Sequence, residues 1–281
     1  MRILLTGRNG QVGWELERAL APLGEIVATD RAALDLEYSD SIRESIQNLR
    51  PDVIVNAAAY TAVDRAETEE DLAMQVNAIA PGILAEQAKR RGALLVHYST
   101  DYVFDGAKAV PYREDDAPNP INAYGRSKLE GGRRIAASGC RYLLLRTSWV
   151  YAPRGRNFFL AIAKKARAGE PLRVVSDQHG VPSEARFVAE ATRELMQRSV
   201  EGVFNVVPSG DTTWHGFAKA IVEGLGLKNS VNPIASSEYP TPARRPVNSI
   251  LDNKKLSEIL GEAPPHWREF LDRCMKAWKP A

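Results

Sequence analysis

Met1-Arg2-Ile3-Leu4-Leu5-Thr6-Gly7-Arg8-Asn9-Gly10-Gln11-Val12-Gly13 opens the chain, and more of the architecture can be inferred from it than from any other stretch. Arg2 to Thr6 is an apolar run of strand length, and Gly7-x-x-Gly10-x-x-Gly13 follows it immediately, ahead of an amphipathic helical pattern. In that context the glycines have separate tasks. Gly7 makes the tight turn, Gly10 lets the backbone approach a pyrophosphate, and Gly13 permits close packing of helix on strand. Gln11 and Val12 begin the helix, where unpaired N–H groups favour a phosphate. The spacing therefore predicts a dinucleotide site at the carboxyl end of the first strand. Asp30, 17 residues beyond Gly13, ends the second strand candidate, where a carboxylate can bind both hydroxyls of an adenosine ribose and favours NAD(H). Arg31 and Arg8 can instead pair with a 2′-phosphate, so NADPH and NADH both stay open. Asp35 and Leu36 are expected beside the adenine. Asp30 also suits an ordinary strand-end turn.

Outward from this turn, apolar runs at Glu25 to Ala28, Val53 to Asn56, Leu94 to Tyr98 and Tyr142 to Arg146 continue the series of strands. Between them Gln11 to Leu23, Ser39 to Leu49, Glu69 to Arg91 and Tyr124 to Ser138 carry apolar residues at three- and four-residue spacing, the period of a helix with one buried face. Strands without polar alternation suit a parallel sheet covered on both faces, and right-handed crossovers then give a doubly wound α/β fold. Beyond about Trp149, Pro and Gly become frequent. The strand candidates Leu172 to Val175 and Val203 to Val207 stand isolated, and a long loop is expected over Asn232 to Asn248. The expected division is a dinucleotide-binding domain over 1–147 and a smaller, mainly substrate-binding domain over 148–281, with segments interleaved into the first.

Ligands of doubly wound sheets bind beyond the carboxyl ends of the strands. Asn56-Ala57-Ala58-Ala59-Tyr60-Thr61 follows the third strand candidate, so Ala59, Tyr60 and Thr61 are expected to contact the cofactor, although the alanines also suit a core. His97-Tyr98-Ser99-Thr100-Asp101-Tyr102 ends the fourth, which brings Tyr98 to the cofactor and Thr100, with Asp101, to a substrate carbonyl. Tyr124-Gly125-Arg126-Ser127-Lys128 begins the next helical pattern, and residues four apart share a helix face. A phenol with an ordinary pKa of ~10 exchanges protons poorly at neutral pH unless its anion is stabilised. An ammonium nearby does so. The arrangement predicts Tyr124 as the acid/base group, Lys128 as the charge that lowers its pKa and binds the nicotinamide ribose, and Thr100 as a second donor to the carbonyl oxygen. Tyr-x-x-x-Lys also arises by chance on helix surfaces; its place after the glycine turn and the fourth strand is what points to carbonyl chemistry with a nicotinamide.

Composition narrows the class. The 281 residues are 44% hydrophobic, enough for a sizeable core, and 37 Lys+Arg against 35 Asp+Glu leave a net charge of +2 without long blocks of one sign. Nucleic acid and anionic membranes are therefore not favoured as partners. Cys140 and Cys274 are far apart and without a His/Cys cluster, which gives neither a disulfide framework nor a zinc site, and the residues by themselves define no metal site. Met1 to Leu5 is too short for a signal h-region and no segment has membrane-spanning length, so the expected address is cytoplasmic.

Taken together, Gly7-x-x-Gly10-x-x-Gly13, Asn56-Ala57-Ala58, Ser99-Thr100-Asp101 and Tyr124-x-x-x-Lys128 resemble the extended short-chain dehydrogenase/reductase family over essentially the whole chain. That resemblance implies a Rossmann-type nucleotide domain and an oxidoreductase with Thr100, Tyr124 and Lys128 as its catalytic set. Ser99-Thr100-Asp101-Tyr102-Val103-Phe104-Asp105-Gly106, Arg146-Thr147-Ser148-Trp149-Val150-Tyr151, Asp177-Gln178-His179-Gly180 and Tyr239-Pro240-Thr241-Pro242-Ala243-Arg244-Arg245-Pro246 are similar to phrases of one branch. Its members reduce the C4 ketone of dTDP-4-dehydro-L-rhamnose to dTDP-L-rhamnose for cell-surface polysaccharide. The dTDP-sugar substrate is then expected on Trp149, which matches a sugar-contacting tryptophan, and on Asn157, Arg244 and Arg245 as candidates for the nucleotide and diphosphate.

The resemblance further implies, in some members, a homodimer around Mg2+ held by glutamates. Glu15 matches one ligand, but Arg186 stands where another is expected, and a cation there repels a metal; Glu184 and Glu190 are the nearby carboxylates. Three other functions share parts of the pattern. A nucleotide-sugar 4,6-dehydratase places Asp-Glu directly after the threonine, whereas Asp101 is followed here by Tyr102. A sugar epimerase uses the same hydride chemistry, and a non-catalytic nucleotide-binding regulator, such as the regulatory subunit of methionine adenosyltransferase, retains the fold without turnover.

Overall fold

A computed structural model describes residues 1–279. In chain order β1 (Arg2–Thr6), α1 (Gln11–Ala19), β2 (Glu25–Thr29), α2 (Ser39–Leu49), β3 (Val53–Asn56), α3 (Glu70–Met74), α4 (Ala80–Arg91), β4 (Leu94–Thr100), α5 (Ala123–Ser138) and β5 (Arg141–Thr147) alternate as the periodicity predicts. The remainder holds β6 (Val150–Tyr151), α6 (Phe158–Arg167), β7 (Leu172–Val175), β8 (His179–Gly180), β9 (Ser183–Glu184) and α7 (Ala185–Gln197). It continues through β10 (Gly202–Asn205), β11 (Thr212–Thr213), α8 (Trp214–Gly224), β12 (Val231–Ile234), α9 (Lys254–Leu260) and α10 (Trp267–Ala277). No helix among the described residues is long and apolar enough to cross a membrane.

Six parallel strands in the order β10-β5-β4-β3-β1-β2 form the central sheet. Because successive side chains of a strand face opposite ways, Ile3 and Leu5 pack with Leu16 of α1 and Val188 and Leu195 of α7. Leu4, Ile54 and Leu95 enter the other layer with Ile42 and Ile46 of α2 and Leu84 of α4. A third cluster, built on Tyr151, Phe159, Phe217 and Trp267, lies outside the sheet.

Five sequence expectations change. Val203 to Val207 is not isolated: β10 pairs in parallel with β5 at the sheet edge. Leu172 to Val175 is not isolated either, because β7 pairs with β12, so Asn232 to Asn248 is not all loop. Both pairings join residues more than fifty positions apart, which local periodicity cannot register. The Gln11 to Leu23 helix stops at Ala19 and gives way to a 3₁₀ turn over Ala21–Leu23, where Pro22 lacks the N–H a continuing helix needs. Glu69 to Arg91 is interrupted by a π-helical turn, Gln75–Ile79.

Candidate active site

The strand order reverses between β1 and β3, and at that switch point a cavity of about 690 Å³ opens at the carboxyl ends of the strands. Its floor is the glycine turn. Gly7 has φ +74°, and a Cβ there would meet the Ala58 backbone nitrogen at 2.7 Å. A Cβ on Gly13 would stand 2.1 Å from the Gly7 carbonyl oxygen, so α1 approaches β1 only because both positions lack side chains. Gly10 is the N-cap of α1, makes no side-chain cap, and is followed by no acidic residue in the first turn. Those N–H groups stay available to an anion. Gly7, Gly10, Gln11 and Val12 line the cavity, whereas Gly13 lies beneath it.

Asp30 is a strand-end turn residue that also borders the cavity. It lines the cavity, and its Oδ1 accepts from the Ala32 and Ala33 N–H groups at 3.1 Å while Oδ2 accepts from Asn9 at 3.2 Å. The Ala33 bond is the largest influence, and the carboxyl is held below its ordinary value. Arg31 and Asp35 sit on the same wall but bind each other at 3.1 Å, with Glu37 as a second partner of Arg31. Leu36 is buried beside them, as is Leu34. Ala59, Tyr60 and Thr61 form the facing wall. Tyr60 is held there by Asn77 of the π-helical turn, whose amide bonds both the Tyr60 N–H and its carbonyl at 2.9 Å. Tyr98 also lines the cavity and shares a 2.8 Å hydrogen bond with Thr192.

The reactive groups meet where α5 starts. Asn122 caps the helix by accepting from Gly125 at 2.7 Å, and a Cβ on Gly125 would lie 2.1 Å from the Tyr102 carbonyl oxygen. This close approach brings Tyr124 against the turn that carries Thr100 and Asp101. The Thr100 hydroxyl donates to Asp101 Oδ1 at 2.9 Å. Burial pushes the Asp101 carboxyl up to about 6, against the hydrogen bonds that hold it down. Burial likewise pushes the Tyr124 phenol up to about 12; the Asp101 charge adds to the rise and the Thr100 hydroxyl opposes it. That direction is opposite to the one expected from Lys128. Lys128, itself lowered by burial to about 7, has its Nζ 3.2 Å from His97 Nε2.

The four residues expected at the substrate have partners within the protein. Asn157 caps α6 by accepting from Leu160 at 3.0 Å, and its amide nitrogen faces Gln11 Oε1 at 2.7 Å and the Ala152 and Arg154 carbonyls. Both ends of the amide are thus engaged within the protein. Arg245 is paired with Asp64 through two bonds of 2.6 and 2.9 Å, which neutralises it in place. Arg244 is exposed, and its carbonyl accepts from Asn122 at 2.8 Å. Trp149 takes φ +45° and stacks on Trp214 with ring centroids 3.6 Å apart. Glu184 and Glu190 both bind Arg273, and Arg186 bonds Glu190 at 2.8 Å, so these two carboxylates are matched by guanidinium groups. Among the described residues no group of three or more His, Cys, Asp or Glu could hold a metal ion.

Sequence reasoning missed Arg154, Gly155 and Arg156, which follow β6 and line the cavity. A glycine between two basic residues just after a strand was an available signal. It also missed His97 and Trp214, whose placement depends on contacts between distant segments.

A family model described as the RmlD substrate binding domain matches residues 1–279. The chain is 45% identical to the dTDP-4-dehydrorhamnose reductase of Burkholderia thailandensis over 98% of each protein. Its structure superposes on that of a dTDP-4-dehydrorhamnose reductase from Clostridium acetobutylicum with a TM-score of 0.95, 35% identity and 99% coverage of both chains. The Bacillus anthracis dTDP-4-dehydrorhamnose reductase, solved in complex with NADP, gives a TM-score of 0.94 at 35% identity over 98% of this chain and 99% of that one.

Proposed function

The chain belongs to the RmlD substrate-binding-domain family, which includes the dTDP-4-dehydrorhamnose reductases, and on that premise we propose that it reduces the C4 ketone of dTDP-4-dehydro-L-rhamnose to dTDP-L-rhamnose with NAD(P)H. One observation carries the assignment of the site: Thr100, Asp101, Tyr124 and Lys128 converge at the end of β4, beside a cavity whose floor is a glycine turn with no room for a side chain at Gly7 or Gly13. That floor fits a dinucleotide, and the bound cofactor supplies the hydride for C4. Gly7, Gly10, Gln11 and Val12 hold its phosphates, Asp30 and Arg31 meet the adenosine ribose, and Ala59, Tyr60 and Thr61 form the opposite wall.

Tyr124 orients the ketone through its phenol O–H and gives that proton to the oxygen as the alkoxide forms. The transfer is downhill: a phenol pushed up to about 12 stays protonated at neutral pH and yields its proton to the more basic alkoxide. The Thr100 hydroxyl, whose proton goes to Asp101 Oδ1 in the open site, turns to donate to the same oxygen once the ketone is seated. Lys128 steadies the tyrosinate and the nicotinamide ribose. Trp149 offers the deoxysugar a flat apolar face, and Arg244, Arg154 and Arg156 are the cations available to the diphosphates. The cofactor-holding unit is residues 1–147 together with α7 and β10, and the rest of 148–281 forms the substrate wall.

The test generates dTDP-4-dehydro-L-rhamnose in situ and follows NADPH or NADH absorbance together with the sugar product. Tyr124→Phe is expected to lose about 10²- to 10⁴-fold in kcat, the usual worth of general acid catalysis, while cofactor affinity is retained. Unchanged turnover in that variant refutes the proton-donor role. Tight cofactor binding without turnover in the wild type refutes the reductase reading.

A further inference from the structure

Gln11, Trp14 and Arg18 stand three and four residues apart on α1, so they form one stripe of the helix whose first turn borders the cavity. The turn after β6, residues 152–157, packs along that stripe. Asn157 Nδ2 lies 2.7 Å from Gln11 Oε1 and donates to the Ala152 and Arg154 carbonyls at 2.9 and 3.0 Å. Gly155, at φ +79°, turns the chain beside Gln11. Arg154 is thereby set over Trp14, its guanidinium carbon 3.7 Å from the centre of the indole ring.

Arg18 uses the same ring. Its guanidinium carbon is 3.6 Å from the ring centre, and its Nη1 donates to the Trp14 carbonyl at 2.6 Å. Two guanidinium groups so near one ring centre collide unless they take opposite faces. Arg18 follows Trp14 by one helical turn and covers the face toward the carboxyl end of α1, which leaves Arg154 the face toward Gly10 and Gln11. The two cations differ in their surroundings. Arg18 is exposed, so water screens its charge. Arg154 is half-buried and lines the cavity, and its Nη1 is shut off from solvent with no acceptor among the described residues. A charged donor left in that state is costly. Other arginines of the cavity wall are already matched, Arg31 by Asp35 and Glu37 and Arg65 by Glu69, while Arg156, across Gly155, is exposed.

We propose that Arg154 is a ligand of the cofactor's pyrophosphate and that Trp14 is the platform presenting it, with Arg18 pinning the far face of the indole. The inference rests on the dinucleotide reading of the cavity and deepens it: of the cations available to diphosphates, this one belongs to the cofactor. The first turn of α1 offers N–H groups to that anion, and a planar guanidinium stacked on an indole adds paired donors in a fixed orientation. Little rotamer freedom is lost on binding, because the stack already restricts the side chain. A phosphate beside Arg154 also offsets the repulsion between the two guanidinium groups that share Trp14.

Fluorescence titration of the full chain with NADPH and NADH, and calorimetric titration with dTDP, test the assignment. Arg154→Ala is expected to weaken NADPH and NADH alike by about tenfold or more, the worth of a charge-assisted hydrogen bond, and to leave dTDP affinity at the wild-type value. Trp14→Leu should lose about threefold or more. The double variant should bind no more weakly than Arg154→Ala, because the platform acts only through the guanidinium. Arg156→Ala removes an equal charge from the same wall and should cost less than about threefold. Wild-type cofactor affinity in Arg154→Ala overturns the proposal. So does a loss confined to NADPH, which moves Arg154 to the 2′-phosphate, or one confined to dTDP, which moves it to the substrate. An equal loss in Arg156→Ala, or additive losses in the double variant, overturns it as well. If Arg154→Ala does not fold, Arg154→Gln, which keeps an apolar stem on the indole, is read by the same outcomes. A wild-type chain that binds neither NADPH nor NADH refutes the dinucleotide reading itself, whereas wild-type binding that Arg154→Ala leaves unchanged refutes this inference alone.

Discussion

Gly10 and Gly13 stand three residues apart in one turn, yet the structure separates what alanine does at each. A Cβ on Gly13 meets the Gly7 carbonyl oxygen at 2.1 Å and its carbon at 2.7 Å, both backbone atoms that no rotamer change can move aside. Relief requires α1 to shift by about 1 Å from a turn that Ala58 already confines. Overpacking of this kind costs about 1–3 kcal/mol, and the better helix propensity of alanine offsets at most about 1 kcal/mol. Gly13→Ala should therefore lose about 1–2 kcal/mol, a fall of roughly 3–6 °C in Tm for a chain of this size. Gly10 differs: its φ of −72° suits any residue, and the nearest atom to a Cβ is the Gly7 oxygen at 3.2 Å. Gly10→Ala should leave stability within about 0.5 kcal/mol but place a methyl group where the pyrophosphate backbone contact is proposed. A cofactor Kd about tenfold weaker, or more, is expected, equivalent to about 1.4 kcal/mol. Circular-dichroism melting and NADPH fluorescence titration measure the two quantities independently. Wild-type cofactor affinity in Gly10→Ala, or a wild-type Tm in Gly13→Ala, refutes the division of labour.

Asp101 gives a pH prediction: its folded value of about 6 lies above the 3.8 of an ordinary aspartate, so the native state binds more protons between these values and stability falls as pH rises through that window. The fall is of order 2–3 kcal/mol, and urea melts of Asp101→Asn should lack it; equal slopes in both proteins count against the burial argument. In Gly180→Ala a Cβ would stand 2.5 Å from the Trp149 ring, which is stacked on Trp214, so about 1–3 kcal/mol is lost. KM for the sugar nucleotide should rise with cofactor affinity unchanged, and near-UV circular dichroism should report an altered tryptophan pair. Arg31→Ala should change the NADPH/NADH preference by about tenfold; an unchanged ratio in steady-state kinetics removes Arg31 from cofactor selection.

The positions decided by local chemistry were legible in the sequence. Gly7, Gly10 and Gly13 had one explanation because a strand precedes them and a helix follows. Tyr124 and Lys128 shared a face because helical periodicity is a property of the backbone alone. The same holds for the strands β1 to β5, whose apolar runs need no knowledge of their neighbours. Tertiary packing decided what those residues face. Asn157 reads as a recognition amide until α6 and Gln11 occupy both its ends, and Arg245 reads as a phosphate ligand until Asp64, far away in the chain, pairs with it. Thr6, Asn56 and His97 are three unremarkable strand residues until parallel register aligns them and α5 lowers Lys128 onto the last. A hydrogen-bond partner is set by three-dimensional distance and by which atom still has a proton or lone pair to offer, and neither is encoded in the spacing of residues along one segment.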